Sequence, residues 1–281
     1  MTKPSVKQVN IKRVELNTLN DSPDVLAVEE PLEIRLAYMV SGEVTEKNIS
    51  VTMRTPGNDF ELAMGFLFTE GIITSEKEVT NIRYCESVDK EEEKGNVVKV
   101  TLHEDLEFDL ESLERHFYTS SSCGVCGKSS IESVSQNCKI LPKDNLQVRA
   151  DIITGLPSQL EIDQTVFKHT GGIHATGLFD LKGKLEFMRE DVGRHNAMDK
   201  IAGASLMNHE VPLSNKIMLV SGRTSFELVQ KAVMLGVPIL CAVGAPSSLA
   251  YDLAKENNLT LIGFLKKEKF NVYCGAERIK L

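Results

Sequence analysis

Two cysteines three residues apart, Cys123 and Cys126, lie in "TSSSCGVCGKSS" (Thr119–Ser130), a run too small and polar for a core. Four chemistries compete for such a pair. A phosphate loop needs a glycine five positions before the Gly of GK[ST], but counting back from Gly127 gives Ser122. A structural zinc site needs about four ligands. Cys138 lies twelve residues beyond Cys126, and only Cys85 or His116 stands ready to complete a tetrahedron; no second CxxC exists. A thioredoxin-type redox pair belongs between a strand and a helix of a βαβ unit, whereas this pair follows a strand-rich region and a serine run. The fourth reading is a thiol that accepts sulfur as a persulfide. It requires a thiolate, access for a large partner and a small-residue loop, and Lys128 beside a helix start near Ser129 favours the thiolate. A second thiol three residues away would assist release or protect the first as a disulfide. The residues alone leave the redox and persulfide readings open.

A second set of chemistry-bearing residues recurs in three strand-to-helix turns. "REDVGRHNAMDK" sets Glu190, Asp191, Gly193, Arg194 and His195 between a strand end and a helix start. "SGRTSFE" does the same with Ser221, Gly222 and Arg223, and Thr224 with Glu227 has capping-box spacing. "VGAPSSLA" supplies Gly244, Pro246 and Ser247. If the strands are parallel neighbours, the turns line one carboxyl edge, where helix N-termini offer free N–H groups to phosphate. His174, after Gly171 and Gly172, either stabilises a turn or joins that pocket.

The elements that must carry these residues read as follows. The first third is strand-rich: "VNIKRVEL", "DVLAVEE", "LEIRLAYMV" and "NISVTMRT" alternate apolar and polar residues. "PGNDFELAMGFLFTEGII" breaks the alternation with a helix capped by Asn58 or Asp59 and ended by Gly71. Strands at "VTNIRY" and "NVVKVTLH" flank the acidic run "DKEEEKG", read as a solvated hairpin loop, and a short helix is expected near "DLESLERHF". The predicted organisation is a strand-rich region over 1–118, a mobile CxxC segment and linker over 119–150, and an α/β core over 151–281, onto which the N-terminal strands can pack. The core begins with a hairpin, "HATGLFD" and "KLEFMRE" around Lys182-Gly183. Helices from about Arg194, Ser225 and Ser247 then alternate with the strands "KIMLVSG", "PILCAVG", "LTLIGF" and "FNVYC". The fold class is α/β (α+β overall), a mixed sheet with covering helices.

Composition narrows the function. The 281 residues are 42% hydrophobic and 26% charged, an ordinary globular balance. A net charge of -8 argues against a nucleic-acid or anionic-membrane binder. No run approaches a membrane span and the start has no secretory h-region. Six unevenly spaced cysteines fit a reducing cytoplasm rather than a disulfide framework. Cys241, inside "PILCAV", reads as core, and Cys85, Cys138 and Cys274 as structural.

The ordered set "EEPLEIRL", "RTPGNDFELAMGFLFTEGII", "SSSCGVCG", "KHTGGIHATGLF", "EDVGRHNAMDK", "SGRTSFELVQKA" and "GVPILCAVGAPSSLAYDLAKENNLTLIGF" resembles the formate dehydrogenase accessory sulfurtransferase family, FdhD, over nearly the whole chain. The resemblance implies a cytoplasmic sulfur carrier, a homodimer; with one CxxC and no matching second half-site, no structural metal is expected. It would take persulfide sulfur from an L-cysteine desulfurase and deliver it to the molybdenum or tungsten bis(molybdopterin guanine dinucleotide) cofactor that formate dehydrogenase requires. By the family pattern Cys123 carries the sulfur with Cys126 as companion. The cofactor segment falls on Phe264, Leu265, Lys266, Lys267, Glu268 and Lys269, where Glu268 interrupts the lysines. Ser221, Arg223, Arg194, His195 and His174 then acquire a pyrophosphate to hold. The alternative is a noncatalytic chaperone that inserts the cofactor into the apoenzyme. The family's fold is similar to that of cytidine deaminases, yet His174-Ala175-Thr176 lacks the Glu of H-x-E and the CxxC precedes the histidine, so zinc deamination is not expected.

Overall fold

The computed structural model describes residues 3–85, 93–106 and 146–281. The expected helix near "DLESLERHF" and the segment holding Cys123, Cys126 and Cys138 lie outside the described residues, as does most of the acidic run.

The chain opens with a two-stranded antiparallel ribbon, β1 (Val6–Glu15) and β2 (Thr18–Ala27). Next come β3 (Glu30–Val40), β4 (Glu43–Arg54), α1 (Asp59–Thr69), β5 (Val79–Tyr84) and β6 (Val97–Leu102), whose strands form a four-stranded sheet in the order β4-β3-β6-β5. β3 shows why: Leu32, Ile34 and Leu36 are buried at alternate positions while Glu33 and Arg35 face outward. In α1, Asn58 sits at the cap position in the left-handed region (φ 58°) and makes no capping bond with its side chain. Asp59, the other expected cap, is instead committed to the buried Arg54 guanidinium at 2.8 and 3.0 Å and to the Tyr84 hydroxyl at 3.0 Å. Gly71 ends the turn after the helix with φ 73°, as its residue type predicts.

After β7 (Val148–Arg149), two helices follow, α2 (Ala150–Asp163) and α3 (Thr165–Thr170). Ile153, Leu156 and Leu160 recur at helical spacing and are buried, a signal that the interior Pro157 obscures in the sequence. Then come β8 (His174–Asp180), β9 (Leu185–Asp191), α4 (Arg194–Met207), β10 (Lys216–Val220), α5 (Phe226–Met234), β11 (Ile239–Ala242), α6 (Ser248–Glu256), β12 (Thr260–Gly263), β13 (Asn271–Cys274) and β14 (Ile279–Lys280). The six-stranded sheet runs β13-β12-β11-β10-β8-β9, and β14 pairs with β7. The β8–β9 hairpin turns where expected: Gly183 has φ 81°, and the Asp180 carboxylate accepts the Lys182 and Lys184 N–H groups.

One core joins the two large sheets. Leu32, Ile34, Leu62, Leu67, Met198, Ile201, Met218, Leu228, Leu240 and Leu253 belong to a single buried cluster, so residues of α1, α4, α5 and α6 share one core with both sheets. The reverse face of the six-stranded sheet packs Phe179, Leu219, Cys241 and Ile262 against Ile153, Leu156 and Leu160 of α2. Helices α1 and α4 touch backbone to backbone. A Cβ on Gly65 would stand 1.8 Å from the Asp199 carbonyl oxygen, and one on Gly203 1.8 Å from that of Glu61. Only glycine permits that approach, which locks the first third of the chain onto the helix that begins at Arg194.

Candidate functional site

The topology decides which turns can meet. β10 and β11 are parallel, as are β11 and β12. β9 is not their neighbour, because β8 runs antiparallel between β9 and β10. The simple picture of adjacent parallel strands therefore needs correction for the first turn. Two antiparallel steps restore the direction, so β9, β10, β11 and β12 all finish at one edge, and β8 begins there with His174.

Backbone bonds stitch that edge together. Ser221 donates its N–H to the Ala175 carbonyl at 2.9 Å, Gly244 to Gly222 at 3.0 Å and Thr224 to Ala245 at 3.1 Å. Ser247 donates to the Thr224 carbonyl at 3.0 Å and Phe264 to Gly244 at 3.0 Å. Glycine is required where side chains crowd these turns: a Cβ on Gly244 would lie 2.8 Å from Arg223 Cγ. A Cβ on Gly222 would meet His174 Nδ1 at 3.5 Å and Arg194 Cδ at 3.9 Å. His174, Arg194, Gly222 and Arg223 are thus spatial neighbours although they span fifty residues of sequence.

The structure divides the residues flagged by type into two groups. Glu190 and Asp191 hold the scaffold. Glu190 accepts the Val166 and Phe167 N–H groups at 3.0 and 2.9 Å, which caps α3. Asp191 is fully buried and accepts from Thr55 N (3.1 Å), Gly193 N (2.8 Å) and Asn196 Nδ2 (3.0 Å), with Lys200 Nζ at 2.7 Å. Lys200 also donates to the Thr55 and Glu190 carbonyls. Thr55 and Lys200 carried no motif by themselves; the signal was their place inside "RTPG" and "HNAMDK". Ser221 Oγ is likewise occupied, accepting the Ala175 N–H at 2.9 Å.

The other group is open. Arg223 is exposed. Among the described residues five buried side-chain atoms lack a hydrogen-bond partner; Arg194 Nε, Thr176 Oγ1 and Thr224 Oγ1 belong to residues at or beside this edge, while Ser205 Oγ and Arg278 Nε belong to other parts of the chain. Thr224 does not cap a helix: α5 starts one residue later, after Ser225, so the expected Thr224–Glu227 box does not form. Ser225 Oγ and Glu227 face His195 instead, at 3.2 and 3.9 Å from its Nε2. Burial, with the positive charges of Lys231 and Arg194, pushes the His195 imidazole down to about 4. His174 is lowered too, by burial and Arg194. Both rings are therefore held toward the neutral form, and the cationic character of the edge comes from its arginines and from the lysines of the segment 264–269. Lys231 itself is buried against Asp199 at 2.8 Å and Glu70 at 3.3 Å; their carboxylates outweigh the burial that would lower it and raise it above the ordinary lysine value.

Within the segment 264–269, Phe264 adopts φ 51° and Lys266 donates its N–H to the Lys269 carbonyl at 2.9 Å, which makes a tight turn with Lys266, Lys267, Glu268 and Lys269 exposed. Leu265 differs from the others: it is 1% exposed and packs in the core with Ile262, so its side chain faces away from solvent. The edge thus joins the Phe264–Lys269 turn to Arg223, Arg194 and His174 through Gly244. Helices α4 and α5 begin at the same edge without a side-chain cap, an arrangement suited to an anionic ligand, whereas at the start of α6 the Ser247 hydroxyl accepts the Ala250 N–H at 3.2 Å. Among the described residues no group of three or more His, Cys, Asp or Glu is placed to hold a metal ion, and no helix is long and apolar enough to cross a membrane.

The chain is similar to known proteins over nearly its whole length. The chain is 46% identical over 272 residues to the sulfur carrier protein FdhD of Streptomyces coelicolor, covering 96% of this chain and 94% of that one. It is 49% identical over 259 residues to the FdhD of Mycolicibacterium paratuberculosis, covering 92% of each. It is 41% identical to that of Sulfurisphaera tokodaii, covering 98% and 99%. The crystal structure of a protein described as a formate dehydrogenase accessory protein from Desulfotalea psychrophila has the same fold, with a TM-score of 0.72 at 23% identity over 99% of this chain and all of the other. A profile of the FdhD/NarQ family matches residues 27–280, and the chain belongs to that family.

Proposed function

We propose that this chain is a cytoplasmic sulfur carrier that serves formate dehydrogenase. Its persulfide residue is Cys123. The thiolate attacks the outer sulfur of a desulfurase persulfide; a new S–S bond forms, the old one breaks, and the donor leaves as a thiolate. Cys126 assists release or guards the carrier as a disulfide. The acceptor is the molybdenum or tungsten bis(molybdopterin guanine dinucleotide), bound as substrate at the edge formed by His174, Arg194, His195, Ser221, Arg223 and the Phe264–Lys269 turn. The carrier acts as a homodimer. The observation that supports this reading most is the convergence of an exposed Arg223 and an Arg194 whose buried Nε has no partner among the described residues, on an edge where helices begin. Pyrophosphate is the ligand chemistry that such donors satisfy.

Mass spectrometry after incubation with a cysteine desulfurase and L-cysteine tests the carrier directly. One added sulfur atom on the peptide containing Cys123 is expected, absent in Cys123→Ala. Cys123→Ala is expected to abolish formate dehydrogenase activation while cofactor binding and fold persist. Full activation by that variant would replace the carrier with the chaperone reading, since a chaperone needs no sulfur of its own.

A further inference from the structure

Arg194 does not fix its own position through Nε, which is buried without a hydrogen-bond partner among the described residues. Where its guanidinium stands is therefore decided by the backbone that carries it, the turn from Asp191 to Asn196. That turn is fastened from the other sheet. Thr55, the residue after β4, is 2% exposed and commits each of its polar atoms to the turn or to α4. Its N–H donates to Asp191 Oδ2 at 3.1 Å, its hydroxyl oxygen accepts the Val192 N–H at 3.2 Å, and its carbonyl accepts Lys200 Nζ at 2.9 Å. Two residues past Arg194, the Asn196 carboxamide donates to the Met53 carbonyl at 2.8 Å and to Asp191 Oδ1 at 3.0 Å, and its oxygen accepts the Thr52 hydroxyl at 3.1 Å. Arg194 is thus bracketed by bonds at Val192 and at Asn196 that lead back to Thr52, Met53 and Thr55.

The fastening is stiff on both sides. Arg54, fully buried next to Thr55, is clamped by the Asp59 carboxylate at 2.8 and 3.0 Å, by the Gly95 carbonyl at 3.1 Å and by Asn96 Oδ1 at 3.1 Å. Within the turn, a Cβ on Gly193 would stand 3.0 Å from Asn196 Nδ2, so the backbone closes tightly around the carboxamide. Groups set behind a binding side chain act on a ligand through that side chain, and a charged donor loses effect when its support is loosened.

We infer that the junction between β4 and α1 is a positioning element of the anion edge, in which Thr55 and Asn196 set where the Arg194 guanidinium stands. The inference rests on the reading of the edge as an anion site, and its test also has a readout free of ligand. His174 supplies it: burial and Arg194 hold its imidazole low while Asp191 opposes them, so a displaced guanidinium lets it titrate closer to 6.5. In the full chain, followed by proton NMR with His174→Gln to assign the signal, Thr55→Val should raise the His174 midpoint and Thr55→Ser should restore it. By calorimetry, Thr55→Val should weaken GDP roughly two- to tenfold, the worth of one neutral hydrogen bond, and should add no further loss in an Arg194→Ala background. If Thr55→Val does not fold, Thr52→Val, which removes only the hydroxyl that Asn196 accepts, takes its place with the same expectations. An unmoved His174 in a folded variant, or a loss of affinity that persists undiminished without Arg194, overturns the inference. So does GDP bound as tightly by the variant as by a wild type that binds it. A wild type that binds no GDP while His174 still moves leaves the positioning standing and overturns the anion reading.

Discussion

Two charged clusters stand beside each other at the start of α4, and they are built on opposite principles. Around Asp191, each charge has a partner: Lys200, Asn196, Thr55 and Gly193 converge on one carboxylate. Around Arg194, only a few residues away, a guanidinium nitrogen and two threonine hydroxyls are buried without one among the described residues. Both regions attract notice as motifs, since both are rich in residues that do chemistry. Saturation distinguishes them. A polar group fully matched inside the protein has little left for a ligand, whereas an unmatched one bears a desolvation cost that an incoming anion relieves.

That contrast can be broken at either end. The largest effect is expected at the saturated cluster: Asp191→Ala leaves the Lys200 ammonium buried without its counter-charge and should cost about 3–5 kcal/mol in urea unfolding. A loss below about 1 kcal/mol would mean that the cluster does not hold the turn. His195 comes next. Its folded imidazole is lowered to about 4 while the unfolded chain titrates near the ordinary value of 6.5. The unfolded state therefore takes up the proton first. This contribution to stability is fully present above about pH 6.5 and is lost as the pH falls toward 4, by at most about 3 kcal/mol at ~1.4 kcal/mol per pKa unit. His195→Gln should lose less stability than wild type across that window; parallel curves would place the ring in water.

Smaller effects are expected at the open cluster, and they should appear in binding rather than in folding. Arg223→Ala should weaken GDP, standing in for one arm of the cofactor, ten- to a hundredfold, which is roughly 1.5–3 kcal/mol for a bidentate charged contact, with the unfolding midpoint unchanged. Lysine should restore part of it, keeping the charge without the fork. Calorimetry showing unchanged affinity would move the nucleotide off this edge. The smallest change is Thr224→Val. Removing an unpartnered hydroxyl at constant shape should alter stability by less than about 1 kcal/mol. A larger loss would show that the hydroxyl is matched after all, and would erase the contrast at that position.

Much of the architecture was legible because its signals are periodic. Alternation placed β3 and β4, and the turn residues located the β8–β9 hairpin through Gly183. The caps were harder. Asn58 takes the cap position as its type predicts but makes no side-chain bond there, Asp59 is held by Arg54, and Ser225 rather than Thr224 precedes α5. Helix α2 was hidden by Pro157. At the edge, residue type identified Arg194 and Arg223 but not the saturation of Asp191, which depends on Thr55, some 136 residues earlier in the chain. Local sequence carries the kind of side chain present; only the fold reveals whether its hydrogen bonds are already taken.

The antiparallel insertion of β8 has a consequence in time as well as in space. Both free ends of the β8–β9 hairpin, His174 and Asp191, sit at the edge that carries Arg223, where β8 is lodged between β9 and β10. A partly assembled chain would present Arg223 on a growing sheet without His174 or Arg194 beside it. Any affinity of this edge for an anion then becomes a measure of completed folding. Once seated, the ligand in turn resists the opening of the whole hairpin, in proportion to the logarithm of its concentration over its dissociation constant. Amide exchange along β8 should therefore slow together with exchange in β9 and β10 when the edge is occupied, as one unit rather than as separate loops.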